Sequence, residues 1–248
     1  MVTAIIVVYN KSLKESPTCI FAKENKLSTI VCDNSERENE NEKTAAESGF
    51  TYIFMNGNKG LSKAYNKALE IKGEEEYYLI LDDDTVLPKD FISKISSHIK
   101  ENPGADIFLP KVFSGEIQIS PAVLGKVRVR TIKNGEKVKD FTAINSGMVI
   151  KKSFFDDFRY DENLFLDYID HDLMCYANNN GKKIHIMEDV FITQNFFGLS
   201  ETSKESKKRR YNIFKHDFSY FIKKHKRNKF IAALIILKRR IAAGGKIK

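Results

Sequence analysis

The sequence predicts an α/β protein, a mostly parallel central sheet flanked by helices. Three observations carry the prediction. Apolar runs rich in β-branched residues recur through the first third of the chain, helix-periodic segments follow the later runs, and each run ends in a cluster of polar residues. Strands alternating with helices imply parallel pairing through crossover connections.

Val2–Val8 opens the series as a continuous apolar run stopped by Tyr9 and Asn10. No basic segment precedes it, so it reads as a buried first strand and not as a signal peptide. Residues 27–32 (LSTIVC) give a second strand, ending at Asp33, Asn34 and Ser35. Residues 51–55 (TYIFM) give a third, ending at Asn56, Gly57 and Asn58. Leu61, Ala64, Tyr65, Ala68 and Leu69 then fall at i, i+3, i+4, i+7 and i+8, the stripe of a helix with one buried face. Residues 77–81 are a fourth buried strand, tipped by Asp82, Asp83 and Asp84. Phe91, Ile92, Ile95 and Ile99 predict the next helix, with Pro88 suited to its first turn and Pro103-Gly104 to its end. Residues 112–142 read as extended segments with turns at Ser114-Gly115 and Asn134-Gly135, the second predicting a hairpin between KVRVRTIK and EKVKDFT. A small-residue turn, Asn145-Ser146-Gly147, leads into a strand, and a helix is expected over 170–180, closed by Gly181.

The 248 residues are 42% hydrophobic, which is enough for a sizeable core and argues against a disordered chain. Cys19, Cys32 and Cys175 are odd in number and widely spaced; they argue against a disulfide framework or a zinc ribbon and for a reducing compartment. The net charge of +8 is unevenly placed: residues 204–248 hold 16 Lys and Arg against 2 Asp and Glu, whereas residues 1–203 hold 25 against 31. A mildly acidic domain over 1–203 followed by a basic amphipathic helical tail over 204–248 predicts an anionic partner for the tail. An anionic membrane surface suits it better than nucleic acid, because the apolar run FIAALIIL at 230–237 is too short to span a bilayer and no nucleic-acid recognition motif accompanies the charge. The competing reading of the tail is a helix packed on the domain with a solvated basic face.

The stretch LILDDDTVLP at 79–88 sets three carboxylates at a strand end. Carboxylates repel one another and are costly to bury uncompensated, and a solvated loop tip is their plain explanation. At a strand end, however, residues i and i+2 point the same way, so Asp82 and Asp84 share a side while Asp83 turns aside. Two hard oxygen donors side by side suit Mg²⁺ or Mn²⁺, and such a cation neutralises a diphosphate. The other polar tips, Tyr9-Asn10, 33–35 and 56–58, would meet at the same sheet edge, where open α/β sheets bind ligands.

VVYN at 7–10, DNS at 33–35, NKGLSKAYNKAL at 58–69, LDDDTVLP at 81–88, NSGMVIKK at 145–152 and FLDYIDHDL at 165–173 occur in that order. In these motifs the chain resembles the family 2 glycosyltransferases of the GT-A fold, the bacterial rhamnosyltransferase-like members in particular. The resemblance implies an inverting transfer of sugar from a dTDP- or UDP-sugar to a glycan or lipid-linked acceptor in cell-surface polysaccharide synthesis. It implies a nucleotide site formed by Val8, Tyr9, Asn10, Asp33, Asn58, Gly60, Asn66, Asp82 and Asp83. It implies an Mg²⁺ or Mn²⁺ site at Asp82 and Asp84, with Asn195 standing where the family often carries a His. Ser146, Gly147 and Asp167 would face the acceptor, and Asp170 would be the base that deprotonates the acceptor hydroxyl, with Asp167 and Asp172 as its competitors. A positioned carboxylate supplies the reactivity that a sugar hydroxyl lacks. Plainer readings stand beside these: Asp33 as a turn cap and Asn66 as a helix-surface amide. The expected location is cytoplasmic, peripheral at the inner face of the cell membrane, and a homo-oligomer is left open.

Two other functions compete. DDDTV also fits the nucleophile motif of haloacid dehalogenase-type phosphohydrolases, although that motif normally lies on a chain's first strand and no later GDxxxD pair follows. A non-catalytic carbohydrate- or membrane-binding protein is the second alternative, motivated by Asn195.

Overall fold

The structure is a computed structural model that describes residues 1–37, 39–71, 75–125, 127, 129–132, 138, 141–194 and 203–242. In chain order its first half runs β1 (Val2–Val8), α1 (Pro17–Glu24), β2 (Ser28–Asp33), α2 (Asn41–Glu47), β3 (Thr51–Phe54), α3 (Leu61–Leu69), β4 (Tyr77–Asp82) and α4 (Phe91–Glu101). The second half continues with β5 (Ile107–Ser114), β6 (Ile117–Ser120), β7 (Ala122–Leu124), β8 (Val129–Thr131), β9 (Phe141–Thr142), β10 (Met148–Lys151), α5 (Phe154–Asp157), α6 (Ile169–Asn179), β11 (Ile184–Thr193), α7 (Lys204–Lys224) and α8 (Lys229–Ala242).

The main sheet is ordered β11-β5-β10-β4-β1-β2-β3, with β6 paired to β5. The four strands at the β3 side are parallel, as the buried apolar runs predicted. β10 is antiparallel to both β4 and β5, which inserts one reversed strand in the middle of the sheet. The alternation of strand side chains divides the core. Ile5, Ile30 and Ile80 face α3 through Ala64, Tyr65 and Ala68. Ala4, Ile6, Leu79 and Leu81 face the opposite layer, with Phe21, Phe91 and Ile95. Each such Ile or Leu contributes about 1.5–3 kcal/mol by leaving water.

The predicted hairpin is corrected. Asn134 and Gly135 lie outside the described residues, and the flanking strands β8 and β9 both pair with β7 in the order β8-β7-β9. Ala122 and Leu124 of β7 are buried, whereas Val129–Thr131 is exposed throughout. The apolar strand takes the centre and the basic one an edge, where charge is tolerated.

The tail begins as a packed helix. Phe214, Phe218, Phe221 and Ile222 of α7 are buried in the same cluster as Ile5, Ile80 and Leu173. No helix among the described residues is long and apolar enough to cross a membrane.

Candidate active site

Parallel register sets the acidic tips together. Val8 pairs with Asp33 across one side of β1, and Val7 pairs with Asp82 across the other. The Gly147 amide donates to the Ile80 carbonyl at 2.9 Å, which carries the turn before β10 up to the end of β4. The Ser146 hydroxyl therefore donates to Asp82 Oδ2. Gln194 adds its amide, 3.0 Å from Asp82 Oδ2 and 3.3 Å from the Thr85 hydroxyl. Burial raises the Asp82 pKa; Ser146 and Gln194 oppose it, and the Asp84 and Asp170 charges add to the rise.

Asp83 does turn aside. Its carboxylate lies 3.6 Å from Lys11 Nζ, and burial pushes its pKa up to about 6 against the pull of that ammonium. Asp84 is exposed. Among the described residues no group of three His, Cys, Asp or Glu stands ready as a metal cage. Two carboxylates on one strand end match a cation such as Mg²⁺ that keeps waters and takes its remaining ligands from phosphate.

Asp170 lies across a cavity of about 340 Å³ from Asp82; Asn145, Ser146, Asp167, Arg210 and Arg239 also line it. Asn145 is 6% exposed, and its buried Oδ1 has no hydrogen-bond partner among the described residues. Asp170 Oδ1 accepts from the His171 amide at 2.7 Å at the start of α6. Burial raises the Asp170 pKa, His171 lowers it, and the Asp167 charge raises it further. That combination yields a carboxylate readier to take a proton than an exposed one.

The two competitors are engaged elsewhere. Asp167 is held in a two-pronged pair by Arg210, at 2.5 and 2.6 Å. Asp172 is 3% exposed and is paired with Lys224 at 2.9 Å and His225 at 2.8 Å.

The loop carrying these acids is shaped by the tail. Asp217 of α7 is fully buried, and its carboxylate accepts from the amides of Phe165, Leu166 and Asp167 at 3.1, 2.8 and 2.8 Å. Tyr168 sits in the left-handed region at φ +67°. A non-glycine residue there is strained by roughly 1–2 kcal/mol. Its ring stacks on Phe218 at 5.1 Å and lies 5.0 Å from Phe221, contacts that offset the strain. Gly60, at φ +88°, lets the same loop approach α3, since a Cβ there would lie 2.6 Å from the Phe165 carbonyl oxygen.

The Asn66 amide donates to the Tyr160 carbonyl and its oxygen accepts from the Tyr160 amide, both at 2.9 Å, so it latches α3 to the 160 segment. Gly147 does not line the cavity; a Cβ there would collide with Ile192, and its neighbour Ser146 is the residue that faces Asp82. Asn195 lies outside the described residues. Asp33 is buried and already accepts from the Ser35 amide at 2.8 Å, Asn41 at 2.8 Å and Tyr52 at 2.9 Å. Burial would raise its pKa, but the bonds from Ser35, Asn41 and Asn39 outweigh that and lower it. These bonds organise the loop after β2. Val8 is buried at the strand end, Tyr9 reaches Glu36 at 2.8 Å, the Asn10 amide donates to Ser35 Oγ at 2.9 Å, and Asn58 closes its own turn onto the Gly60 amide at 3.1 Å.

Gln194, Asn145, Arg210, Asp217 and Arg239 were not anticipated. Asp217 and Arg239 had a signal, because each is a charged residue on an otherwise apolar helical stripe.

The chain matches the family described as Glycosyl transferase family 2 over residues 3–159. It is 27% identical over 197 residues, 75% of this chain, to the dTDP-rhamnosyl transferase RfbF of Shigella flexneri, and it spans 66% of that protein's length. Among solved structures it resembles the mannosyltransferase PcManGT of Pyrobaculum calidifontis in complex with GDP-Man and Mn²⁺, at a TM-score of 0.60 and 15% identity over 98% of this chain and 69% of that one. It also resembles residues 1–349 of S. aureus TarS in complex with UDP, at a TM-score of 0.56 and 17% identity over 87% of this chain and 64% of that one. These structural likenesses establish the GT-A fold.

Proposed function

The chain belongs to glycosyl transferase family 2, and from that premise we propose that it moves a sugar from a dTDP- or UDP-sugar to the hydroxyl of a glycan or lipid-linked acceptor, with inversion. The observation that carries this reading is that Asp82 and Asp170 line one cavity of sugar size. Asp170 is the base. It takes the acceptor proton as the hydroxyl attacks the anomeric carbon, and the nucleoside diphosphate leaves on the side of Asp82 and Asp84. A single displacement of this geometry inverts the centre. Ser146 and Gln194 hold Asp82 in place.

Asp82 and Asp84 would hold Mg²⁺ or Mn²⁺. When bound, the cation supplies neutralisation of the leaving diphosphate. The dTDP donor is favoured by the RfbF relative. The phosphohydrolase reading is not favoured, since the family match covers the strand tips on which it would rest, and the non-catalytic reading is not favoured beside a match to a family of transferases.

Peripheral membrane association belongs to the same proposal. Phe230, Leu234, Leu237 and Ile241 of α8 are 75, 52, 42 and 48% exposed. They fall at i, i+4, i+7 and i+11, one outward stripe, with Lys238 and Arg240 at its margins. Such a helix lies in the interface of an anionic bilayer and brings a lipid-linked acceptor near the cavity.

A thermal-shift screen of dTDP-, UDP- and GDP-sugars with and without Mn²⁺, followed by transfer to a lipid-linked acceptor, tests the reaction. No stabilisation by any nucleotide sugar would sink it. Flotation on anionic and neutral liposomes tests the docking, and equal behaviour on both would remove its electrostatic part.

A further inference from the structure

α8 has a second, inward stripe. Ala232 is 4% exposed, and Ile235 and Ile236 pack against the core one turn later. Arg239 follows at i+7 from Ala232, on the same side of the helix, where the pattern calls for an apolar residue. Its guanidinium lies 3.9 Å from the centroid of the Phe214 ring, and its side chain lines the cavity that holds Asp82 and Asp170.

Three other tail cations near the domain are matched to its acids, while Arg227, over the Phe221 ring, donates to the Gly125 carbonyl at 2.6 Å. Arg209 pairs with Glu36, Arg210 with Asp167, and Lys224 with Asp161 and Asp172. Among the described residues no carboxylate lies within ion-pair distance of Arg239. A ring under a guanidinium fixes its plane and leaves its N–H fork unneutralised and open to the cavity. An anion with several oxygens completes such a fork, as phosphate does.

We infer that Arg239, held over Phe214, is a phosphoryl-binding residue of the transfer site, contributed by the tail. The inference rests on the glycosyl-transfer reading and adds a ligand contact to it. Two phosphoryl groups share this chemistry, the diphosphate of the donor and the phosphate of a lipid-linked acceptor.

Calorimetric titration of the full chain separates them, using dTDP with Mn²⁺, farnesyl diphosphate and inorganic pyrophosphate as probes. The variants are Arg239→Lys, Arg239→Gln and Arg239→Glu. Arg239→Gln should weaken at least one probe about tenfold, the loss of one charge-assisted bond. Arg239→Glu should be worse, and Arg239→Lys should keep part of the affinity. Loss confined to dTDP assigns the donor diphosphate, and loss confined to farnesyl diphosphate assigns the acceptor. All probes within twofold of wild type in Arg239→Gln and Arg239→Glu would overturn the inference. Equal losses in all three variants, with a lowered melting temperature, would also overturn it and leave Arg239 as packing. A wild type that binds pyrophosphate but no nucleotide would defeat the transfer reading while the pyrophosphate series still judges Arg239.

Discussion

Asp217→Asn is the sharpest test of how the tail serves the site. The native carboxylate receives three consecutive backbone amides, from Phe165 at 3.1 Å and from Leu166 and Asp167 at 2.8 Å, with no exposure to water. The carboxamide keeps one oxygen. It can serve Leu166 and Asp167 as a neutral acceptor while its NH₂ confronts the Phe165 amide. Bonds to a charged acceptor contribute roughly 1.5–3 kcal/mol and neutral ones about 1, and a stranded donor costs about 1–3 more. One bond lost at about 1.5–3 kcal/mol, two weakened by about 0.5–2 each and a stranded donor at about 1–3 sum to roughly 3.5–10 kcal/mol, and the range for breaking a buried charged network, about 3–5 kcal/mol, is the lower part of that span. At about 2–4 °C per kcal/mol for a chain of this size, the melting temperature should fall by roughly 10 °C. The loop also carries Asp167 and Asp170, and a displacement of about 1 Å at a reacting group lowers rate about 10²-fold. Thermal denaturation, hydrogen exchange at the Leu166 and Asp167 amides, and transfer kinetics measure the three effects. Donor affinity should change least, since the tips of β1, β2 and β4 are untouched. A variant that melts within about 1 °C of wild type and transfers sugar normally would refute the role given to Asp217.

Asp84→Ala should abolish the dependence of nucleotide binding on divalent cation, measured by titrating dTDP with Mn²⁺ and with EDTA; binding that is metal-independent in the wild type would remove the cation from the site. Asp170→Asn should abolish transfer, leave donor affinity near wild type and raise the melting temperature at neutral pH. The sign follows from burial: the folded state holds the Asp170 proton more tightly than the unfolded chain does, so its ionised form costs stability above the ordinary carboxylate pKa. A lower melting temperature for this variant at pH 7 would contradict that. Burial alone would lower the His225 pKa, but Asp172 and then Cys175 raise it to about 9. The stabilisation it gives is full below its unfolded value of about 6.5 and is lost as pH rises through 9. Melting temperature should therefore fall across that window in the wild type and much less in His225→Gln.

The parallel half of the fold was legible because strands buried on both faces are written as nearly unbroken apolar runs. Val2–Val8, Ser28–Asp33 and Tyr77–Asp82 are of this kind, and their polar tips mark the edge where the site forms. That Asp82 and Asp170 come to line one cavity was expected from motif order. The pairing of β8 with β7 was not, since a turn signal at Asn134-Gly135 is local and the choice between neighbours depends on which strand can be buried. The contacts of Asn66 were not legible for a related reason. A helix-surface amide beside a nucleotide motif looks the same in sequence whether it faces the ligand or the Tyr160 backbone. Gln194 reaches Asp82 across 112 residues, a distance over which no periodic pattern operates.

Charge shows most clearly what composition merges. The excess of Lys and Arg in residues 204–248 pointed outward, toward a membrane. Part of it points inward. Arg209, Arg210 and Lys224 lie on α7 and meet Glu36, Asp161, Asp167 and Asp172 of the acidic domain, so the two opposite charge balances partly neutralise each other within one molecule. These contacts run from the loop after β2, through the loop bearing Asp167, to α6, which makes α7 a strap across the face where the strand tips and the base meet. The aromatic side chains between them fix its position: Phe214 and Phe218 stack at 5.2 Å, and Tyr168 stacks on Phe218. Among the described residues, the cations without an acidic partner are shared between the helices, Lys204, Lys207, Lys208, Lys215 and Lys223 on α7 and Lys229, Lys238 and Arg240 on α8, and those of α8 flank a stripe of exposed apolar side chains. α7 thus completes the site, while α8 divides, its Arg239 lining the cavity and its apolar stripe facing outward. That division follows from where the apolar stripes of each helix face, a property that net charge cannot express.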